Sequence, residues 1–178
     1  EDALLGNVDS VLGKMACVEQ FVQISVSGKA APAGWLAFAD LASGPADEPQ
    51  VLIDSDDVAT MFFTSGTESA PKGVLTSHAN FCASHLAWAL NFGLAQDDRL
   101  LMSLPLIHVA GYLFSTYALA NQATMVMTQV PQPVQMIDLV ARHRLSVTVL
   151  PPTLYVALLS CPNFGTSDLR CATKLGTW

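Results

Sequence analysis

The sequence predicts an α/β fold in which a mostly parallel β-sheet is flanked by helices. Short apolar runs, typical of strands covered on both faces, alternate with longer segments whose apolar residues recur at helical spacing. Strands that alternate with helices form βαβ units, and these units build parallel sheets. Hydrophobic residues make up 51% of the 178 residues and charged residues only 13%, which predicts a large core and excludes a disordered chain.

The sequence of residues 2–50 predicts few helices or strands. Residues 2–15 are predicted to form a helix because apolar side chains recur there at helical spacing, namely Leu4, Leu5, Val8, Val11 and Leu12. Residues 18–26 predict a strand. Residues 27–50 are rich in Gly, Pro, Ala and Asp, which predicts a surface excursion with one short helix at residues 35–41.

From residue 58 onward the alternation of strands and helices is regular. Strands are predicted at residues 58–63, 100–104, 124–128, 147–150 and 174–177, and the first is expected to be covered on both faces. Helices are predicted at residues 77–92, 110–120, 133–144 and from the proline pair at 151–152 to residue 159. One face of the first of these helices carries Phe81, His85, Trp88 and Phe92, and we interpret His85 as a core residue.

A loop rich in hydroxyl groups follows the strand at residues 58–63. It reads TSGTESAPKG from Thr64 to Gly73. Glycines let a ligand approach the backbone closely, hydroxyls supply donors, and Lys72 brings a positive charge suited to phosphate. The loop is expected to open onto the N-terminus of the next helix, capped by Thr76 or Ser77, where an anion is favoured. We interpret the loop as a polyphosphate cradle rather than a flexible hydrophilic turn.

This loop is not a Walker A motif. That motif has a glycine before the lysine and Ser or Thr after it, whereas Pro71 and Gly73 occupy those positions here. A second segment, PLIHVAG from Pro105 to Gly111, follows the predicted strand at residues 100–104. Because parallel sheets bind ligands at the carboxyl ends of their strands, we expect both segments to contribute to one site.

The two segments resemble the signatures of the adenylate-forming (AMP-binding) enzyme superfamily, which includes acyl- and aryl-CoA synthetases, luciferases and peptide-synthetase adenylation domains. The first is similar to TSGTTGxPKG, with Glu68 and Ser69 in place of Thr and Gly, and the second is similar to PLFHVAG, with Ile107 in place of Phe. The resemblance is to the acyl-CoA synthetases and extends from about Leu4 to Trp178. It implies that residues 1–178 are an internal part of the large N-terminal AMP-binding domain.

The resemblance implies a reaction in which ATP and a carboxylic acid form an acyl-adenylate, followed by thioester formation with coenzyme A or a carrier-protein thiol. It assigns phosphate binding to the residues of the loop that match the signature, namely Thr64, Ser65, Gly66, Thr67, Ser69, Lys72 and Gly73. Glu68 lies in the same loop and is expected to face solvent, because a carboxylate repels phosphate. His108 is the catalytic candidate, which would orient the carboxylate or gate the thiol channel. The alternative for His108 is a hydrogen-bonded histidine at a strand-to-helix corner.

The resemblance also implies what other parts of such an enzyme supply. The cofactors are ATP, Mg²⁺ and coenzyme A, but the carboxylate that holds Mg²⁺, the ribose-binding segment and the adenylation lysine belong to segments that this chain does not match. We therefore expect the isolated chain to be inactive, with the remainder of the enzyme or a partner chain needed. The alternative is a non-catalytic remnant, or a split-assembly module that docks a partner through its sheet edge.

Composition excludes other classes of protein. The formal net charge is −7, with only 8 Lys and Arg residues, so nucleic-acid binding is excluded. Cys17, Cys82, Cys161 and Cys171 lack metal-ligand spacing, and we interpret them as reduced, mostly buried thiols of a cytoplasmic protein. No apolar run has the length of a transmembrane helix. Tyr112, Thr148, Pro151 and Thr153 are candidates for an acyl pocket, although core packing explains them equally well.

Overall fold

The computed structural model describes residues 4–66, 70–128 and 130–177. The chain divides into two compact units, Glu1–Leu52 and Ile53–Trp178. Both sequence motifs lie in the second unit, so the first is described only briefly.

The first unit contains little regular structure. The helix expected at residues 2–15 is instead a short helix, α1 (Leu5–Asp9), followed by a 3₁₀ turn at Leu12–Lys14. Gly6 and Gly13 lower helix propensity, and no side chain caps α1, which explains why a longer helix does not form. The expected strand at residues 18–26 contracts to β1 (Val22–Gln23), which pairs in parallel with β2 (Leu36–Ala37) before α2 (Phe38–Ala42).

The second unit is built on a four-stranded sheet in which every pair of neighbouring strands is parallel. Its strands, in chain order, are β5 (Arg99–Met102), β6 (Thr124–Met127), β7 (Val147–Val149) and β8 (Lys174–Gly176), and their spatial order is β6-β5-β7-β8. The predicted α/β class with a parallel sheet is confirmed. Each of these strands lies within two residues of the range that the sequence predicts.

Helices cover both faces of this sheet. Leu100, Met102, Val147 and Val149 point to one face, which α3 (His78–Phe92) and α4 (Val109–Ala120) cover. Leu101 and Leu150 belong to the core of the other face, which α5 (Pro133–His143) and α6 (Pro152–Leu159) cover. Buried strands therefore alternate their side chains between two apolar cores, as expected for a sheet enclosed between helices.

The strand at residues 58–63 is not part of this sheet. It forms β3 (Val58–Phe63), which pairs in antiparallel fashion with β4 (Gly73–Ser77) to make a hairpin. Our expectation that β3 is covered on both faces is wrong, because Met61 is 54% exposed and Phe63 is 69% exposed. In a two-stranded hairpin only one face can contact the helices, and here that face carries Phe62.

The cysteines also differ from expectation. All four are free thiols, but Cys17 and Cys82 are exposed and the other two are only half-buried. Cys82 follows Phe81 on α3 and therefore lies away from the aromatic face of that helix. Among the residues that the structure describes, no helix has the length and hydrophobicity needed to cross a membrane.

Candidate functional site

The hydroxyl-rich loop is the tip of the β3–β4 hairpin. Its two ends are joined by two hydrogen bonds: the Thr64 amide donates to the Lys72 carbonyl at 3.0 Å, and the Lys72 amide donates to Thr64 Oγ1 at 3.1 Å. Gly66 adopts a left-handed conformation with φ of +64°, which glycine tolerates best. Thr64, Ser65 and Lys72 are exposed, so the charged amine of Lys72 is accessible to an anion.

Three members of the predicted phosphate loop, Thr67, Glu68 and Ser69, lie outside the described residues. Their roles, including the solvent-facing orientation of Glu68, stay predictions. Gly73 is the first residue of β4 and pairs with Phe63. A Cβ atom at Gly73 would lie 3.1 Å from the Met61 sulfur, so this glycine allows close cross-strand contact within the hairpin.

The loop does not open directly onto a helix N-terminus, contrary to our expectation. The five residues of β4 separate it from α3. Ser77, one of the two predicted caps, does cap this helix: its Oγ accepts a hydrogen bond from the Asn80 amide at 3.3 Å, within a capping box. The amide of His78 donates to the Asp57 carbonyl. The N-terminus of α3 is therefore satisfied locally, and any anion held by the loop contacts the hairpin itself.

The second motif lies at the carboxyl end of β5, as expected. A turn closed by a 3.0 Å hydrogen bond from the His108 amide to the Pro105 carbonyl leads into α4. His108 is the N-cap residue of α4, and its Nδ1 accepts a hydrogen bond from the Ala110 amide at 3.2 Å. Because Nδ1 is an acceptor, the ring proton of a neutral His108 resides on Nε2, which leaves an N–H donor away from the helix.

Gly111 fixes how closely α4 approaches this turn. A Cβ atom at Gly111 would lie 2.2 Å from the Pro105 carbonyl oxygen and 2.7 Å from its carbon, so no other residue fits without moving the backbone. The glycine that ends the PLIHVAG motif thus positions the segment that carries His108. The motif by itself assigns no role to this glycine, although a glycine inside a helix usually has a packing or functional reason.

Ser103 adds a buried polar group at the same edge. It directly follows β5, is 5% exposed, and its hydroxyl has no hydrogen-bond partner among the residues that the structure describes. Buried hydroxyls are nearly always satisfied by protein, water or ligand. The carboxyl end of β5 therefore has unused hydrogen-bonding capacity, which fits an edge that receives a polar ligand.

An apolar cavity of about 220 Å³ lies beside His108. Its walls come from α3, α4 and the carboxyl ends of β7 and β8, and they consist of Trp88, His108, Val109, Ala110, Leu113, Phe114, Val149 and Thr177. His108 and Thr177 are exposed, whereas Phe114 and Val149 are buried, so the polar groups lie at the mouth and the apolar ones at the inner end. This arrangement suits a ligand with a polar head and an apolar body.

The structure brings the hairpin and the second motif together through aromatic contacts. The Phe62 ring lies 5.3 Å from the ring of Tyr112, one turn into α4, and Phe81 of α3 lies 5.5 Å from the same tyrosine. These distances are typical of favourable aromatic pairs. These contacts place the hairpin beside α3 and the first turn of α4. The expectation that both motifs follow strands of one parallel sheet is wrong, because β3 pairs only with β4 among the described strands.

The four residues proposed for an acyl pocket do not line this cavity. Tyr112 belongs to the aromatic contact with the hairpin, Pro151 is the N-cap residue of α6, and Thr153 is exposed. Thr148 points to the opposite face of the sheet. The residues that do line the cavity include Trp88, which we assigned to the aromatic face of α3, and several that the sequence did not single out.

A larger cavity, about 390 Å³, lies on that opposite face between the sheet and helices α5 and α6. Its walls are aliphatic and aromatic apart from Thr148 and Tyr155. The Tyr155 hydroxyl lies 3.0 Å from Thr148 Oγ1 and 2.9 Å from the Gly176 carbonyl, and burial raises its pKa above the ordinary value for tyrosine despite these hydrogen bonds. Both hydroxyls form hydrogen bonds within the protein, and among the described residues that line this cavity none belongs to either motif.

His85 is a packing residue, as predicted from its helix face. Its Nδ1 lies 2.8 Å from the Phe81 carbonyl, its Nε2 lies 3.2 Å from Thr116 Oγ1, and its ring contacts the rings of Phe81 and Tyr117. Both ring nitrogens are engaged between α3 and α4. Across the described part of the chain, no cluster of three His, Cys, Asp or Glu residues is arranged to hold a metal ion.

The sequence of this chain matches one protein family over nearly its whole length. The AMP-binding enzyme family matches residues 3–176. A methyl-dioxo-octahydroindenyl-propanoyl:CoA ligase of Mycobacterium tuberculosis is 37% identical over 120 residues, which cover 65% of this chain and 24% of that ligase. The chain spans about a quarter of the length of the curated relatives it matches.

Solved structures agree with this match. The N-terminal domain of FACL13 from Mycobacterium tuberculosis superposes with a TM-score of 0.77 over 98% of this chain and 42% of that one, at 23% identity, which supports the fold. O-succinylbenzoate coenzyme A synthetase (MenE) from Bacillus subtilis, solved in complex with ATP and a magnesium ion, gives a TM-score of 0.63 at 28% identity, over 73% of this chain and 29% of that one. The chain therefore belongs to the AMP-binding enzyme family.

Proposed function

We propose that the protein carrying this chain uses ATP to activate a carboxylic acid as an acyl-adenylate and then transfers the acyl group to a thiol, that of coenzyme A. The observation that supports this most directly is that the hairpin with the exposed Lys72 contacts α4, the helix whose N-cap histidine lines an apolar cavity. Relatives named as CoA ligases, and one solved with ATP and magnesium, support the same activity.

Formation of the acyl-adenylate requires stabilisation of the negative charge that develops on the leaving pyrophosphate. A carboxylate oxygen bonds to the α-phosphorus of ATP, the bond to the β-phosphate oxygen breaks, and pyrophosphate leaves with its charge. In this proposal Lys72 and the donors of the loop hold the β- and γ-phosphates, so that the developing charge on pyrophosphate meets a fixed positive group. Mg²⁺, when bound, would neutralise further phosphate charge.

His108 is proposed to orient the acid. With its proton on Nε2, it presents an N–H donor at the cavity mouth, where a carboxylate or the carbonyl of the adenylate would lie while the apolar part enters the cavity. In the second step the sulfur of coenzyme A bonds to that carbonyl carbon, its thiol proton is released, and AMP leaves with the electron pair of the acyl–oxygen bond.

Lys72→Ala tests the proposal. In the protein as its gene encodes it, kcat/KM for ATP in acid-dependent ATP–pyrophosphate exchange is expected to fall about 10- to 100-fold, because a charged hydrogen bond to phosphate is lost. The fold should be retained, since Lys72 is exposed. Arg142→Ala removes a cation from the exposed surface of α5 and should leave exchange unchanged. Exchange that is equally fast in both variants would remove Lys72 from the site.

The isolated 178 residues are expected to show no exchange, because they span only about a quarter of the length of their catalytic relatives. Exchange by this segment alone would show that the loop and cavity suffice for adenylation.

A further inference from the structure

We infer that Tyr112 is a positioning residue, whose ring fixes where the β3–β4 hairpin, and with it Lys72, lies relative to His108. This inference rests on the proposed function, and it names a residue outside both motifs on which the binding of ATP depends.

The β3–β4 hairpin packs through one face only. Its other face is open, since Met61, Phe63 and Leu75 are all more than half exposed. A two-stranded hairpin is marginally stable by itself in water, so its position depends on the contacts of its packed face. Phe62 lies on that face, and its ring meets the ring of Tyr112 at 5.3 Å and an interplanar angle of 64°, a favourable edge-to-face geometry.

The Phe62 contact lies close to the backbone that carries Lys72. Phe62 pairs with Val74 across the hairpin. Two residues further along the chain, Thr64 forms the two hydrogen bonds that hold the Lys72 backbone. A strand rises about 3.3 Å per residue, so only about 7 Å of chain separates the packed ring from these hydrogen bonds. A shift of Phe62 would therefore move Lys72 as well.

Tyr112 is itself fixed within α4. Its amide donates to the His108 carbonyl at 3.0 Å, and its carbonyl accepts a hydrogen bond from Thr116 Oγ1 at 2.9 Å. Its ring also lies 5.5 Å from the ring of Phe81, which lies 4.3 Å from the ring of His85. The same turn of α4 thus carries both His108 and the ring against which the hairpin packs.

The proposed chemistry requires this spacing to be maintained. The group that holds the phosphates and the group that orients the acid must lie at a fixed separation for the carboxylate to reach the α-phosphorus. Misplacement of such a group by about 1 Å can lower a rate about 100-fold. Loss of the Tyr112 ring should therefore weaken ATP binding, although a tyrosine ring offers phosphate no positive charge.

The experiment measures the dissociation constant of ATP with magnesium by isothermal titration calorimetry, in the protein as its gene encodes it. Tyr112→Leu should raise this constant about 2- to 10-fold, the factor that loss of one aromatic pair can account for. Phe62→Leu removes the other ring of the same contact and should have a similar effect. The double variant should bind about as weakly as the weaker single variant, because both changes remove one shared contact.

Two further variants separate positioning from general stability. Tyr112→Phe keeps the ring and should bind ATP as tightly as the unmodified protein. Phe164→Leu shortens another half-buried aromatic side chain, on the opposite face of the sheet, and it should leave ATP binding unchanged even where it lowers the temperature of thermal unfolding.

Each outcome identifies which proposal fails. Absence of ATP binding by the unmodified protein contradicts the proposed function itself. The inference about Tyr112 is overturned, with ATP use intact, if Tyr112→Leu and Phe62→Leu leave binding unchanged or if their effects multiply in the double variant. Equal weakening by Tyr112→Phe or by Phe164→Leu overturns it too. If Tyr112→Leu fails to fold, as judged by thermal unfolding, the Phe62→Leu result decides.

Discussion

At the scale of single residues, Gly111 determines where the second motif lies. The helix that begins after His108 approaches the Leu104–Pro105 backbone so closely that a single added carbon atom would overlap the Pro105 carbonyl. His108 then caps the same helix with its ring nitrogen. The close approach at Gly111 positions the backbone of this segment, and the hydrogen bond from the Ala110 amide orients the His108 ring.

Gly111→Ala should therefore destabilise the protein and displace His108. The expected loss is about 1–3 kcal/mol in the free energy of unfolding, the usual cost of overpacking a tight site, measured by urea denaturation. Gly165→Ala is the matched control, because a Cβ atom at Gly165 would meet nothing within 4 Å. If both variants unfold at the same urea concentration, the close approach at Pro105 does not constrain the fold.

At the scale of secondary-structure elements, the β3–β4 hairpin is the unexpected feature. Residues 74–76 are Val, Leu and Thr, of which two are β-branched, and this run favours a strand over the approach to a helix. The loop between the strands is consequently held by strand pairing on both sides, with Thr64 and Lys72 bonded to each other. These hydrogen bonds fix the backbone position of Lys72 relative to β3.

Ser77 ends this hairpin and starts α3. Replacing its hydroxyl by Ser77→Ala removes the N-cap bond to the Asn80 amide and should cost about 1 kcal/mol of stability, measured by thermal or urea unfolding. Ser77→Asp keeps a side-chain acceptor at the cap and should retain most of that stability. Equal losses in both variants would show that the cap bond contributes nothing.

At the scale of the whole molecule, the end of the sheet opposite the candidate site is held by a polar cluster. Asp98 is 6% exposed and accepts hydrogen bonds from Lys174 Nζ, Ser146 Oγ at 2.7 Å and the Ala95 amide at 2.8 Å. Burial alone would raise the pKa of Asp98, but the hydrogen bonds from Lys174, Ala95 and Ser146, together with the charge of Lys174, lower it below its ordinary value. This cluster joins the residues that precede or begin β5, β7 and β8.

This cluster should make stability depend on pH in the acid range. Because the pKa of Asp98 is lower in the folded than in the unfolded state, its contribution is complete above about pH 4 and is lost as the pH falls through the folded-state pKa. Asp98→Asn should cost about 3 kcal/mol at neutral pH, since it leaves the half-buried ammonium of Lys174 without a counter-charge, and should flatten the acid dependence of urea unfolding. Asp97→Asn, at the exposed neighbouring position, should change neither.

Local patterns in the sequence predict the alternation of helices and strands from α3 onward, the parallel sheet and the resemblance to acyl-CoA synthetases. These follow from local patterns, since hydrophobic periodicity and short motifs depend only on residues near each other in the chain. The aromatic face of α3 and the Ser77 cap are also predicted from local patterns. The sequence also identified Lys72 and His108 as candidates, because their motifs are contiguous.

Three features of the fold depend on contacts between distant residues and are not visible in local sequence patterns. Pairing of β3 with β4, the overlap that Gly111 avoids, and the contact between the Trp88 and Phe114 rings all join residues that lie apart in the chain or on different elements. A strand and its partner look alike in sequence whether they pair within a large sheet or as an isolated hairpin, because the side-chain period is the same in both. The space between elements is likewise fixed by how the whole core packs, which no local pattern encodes.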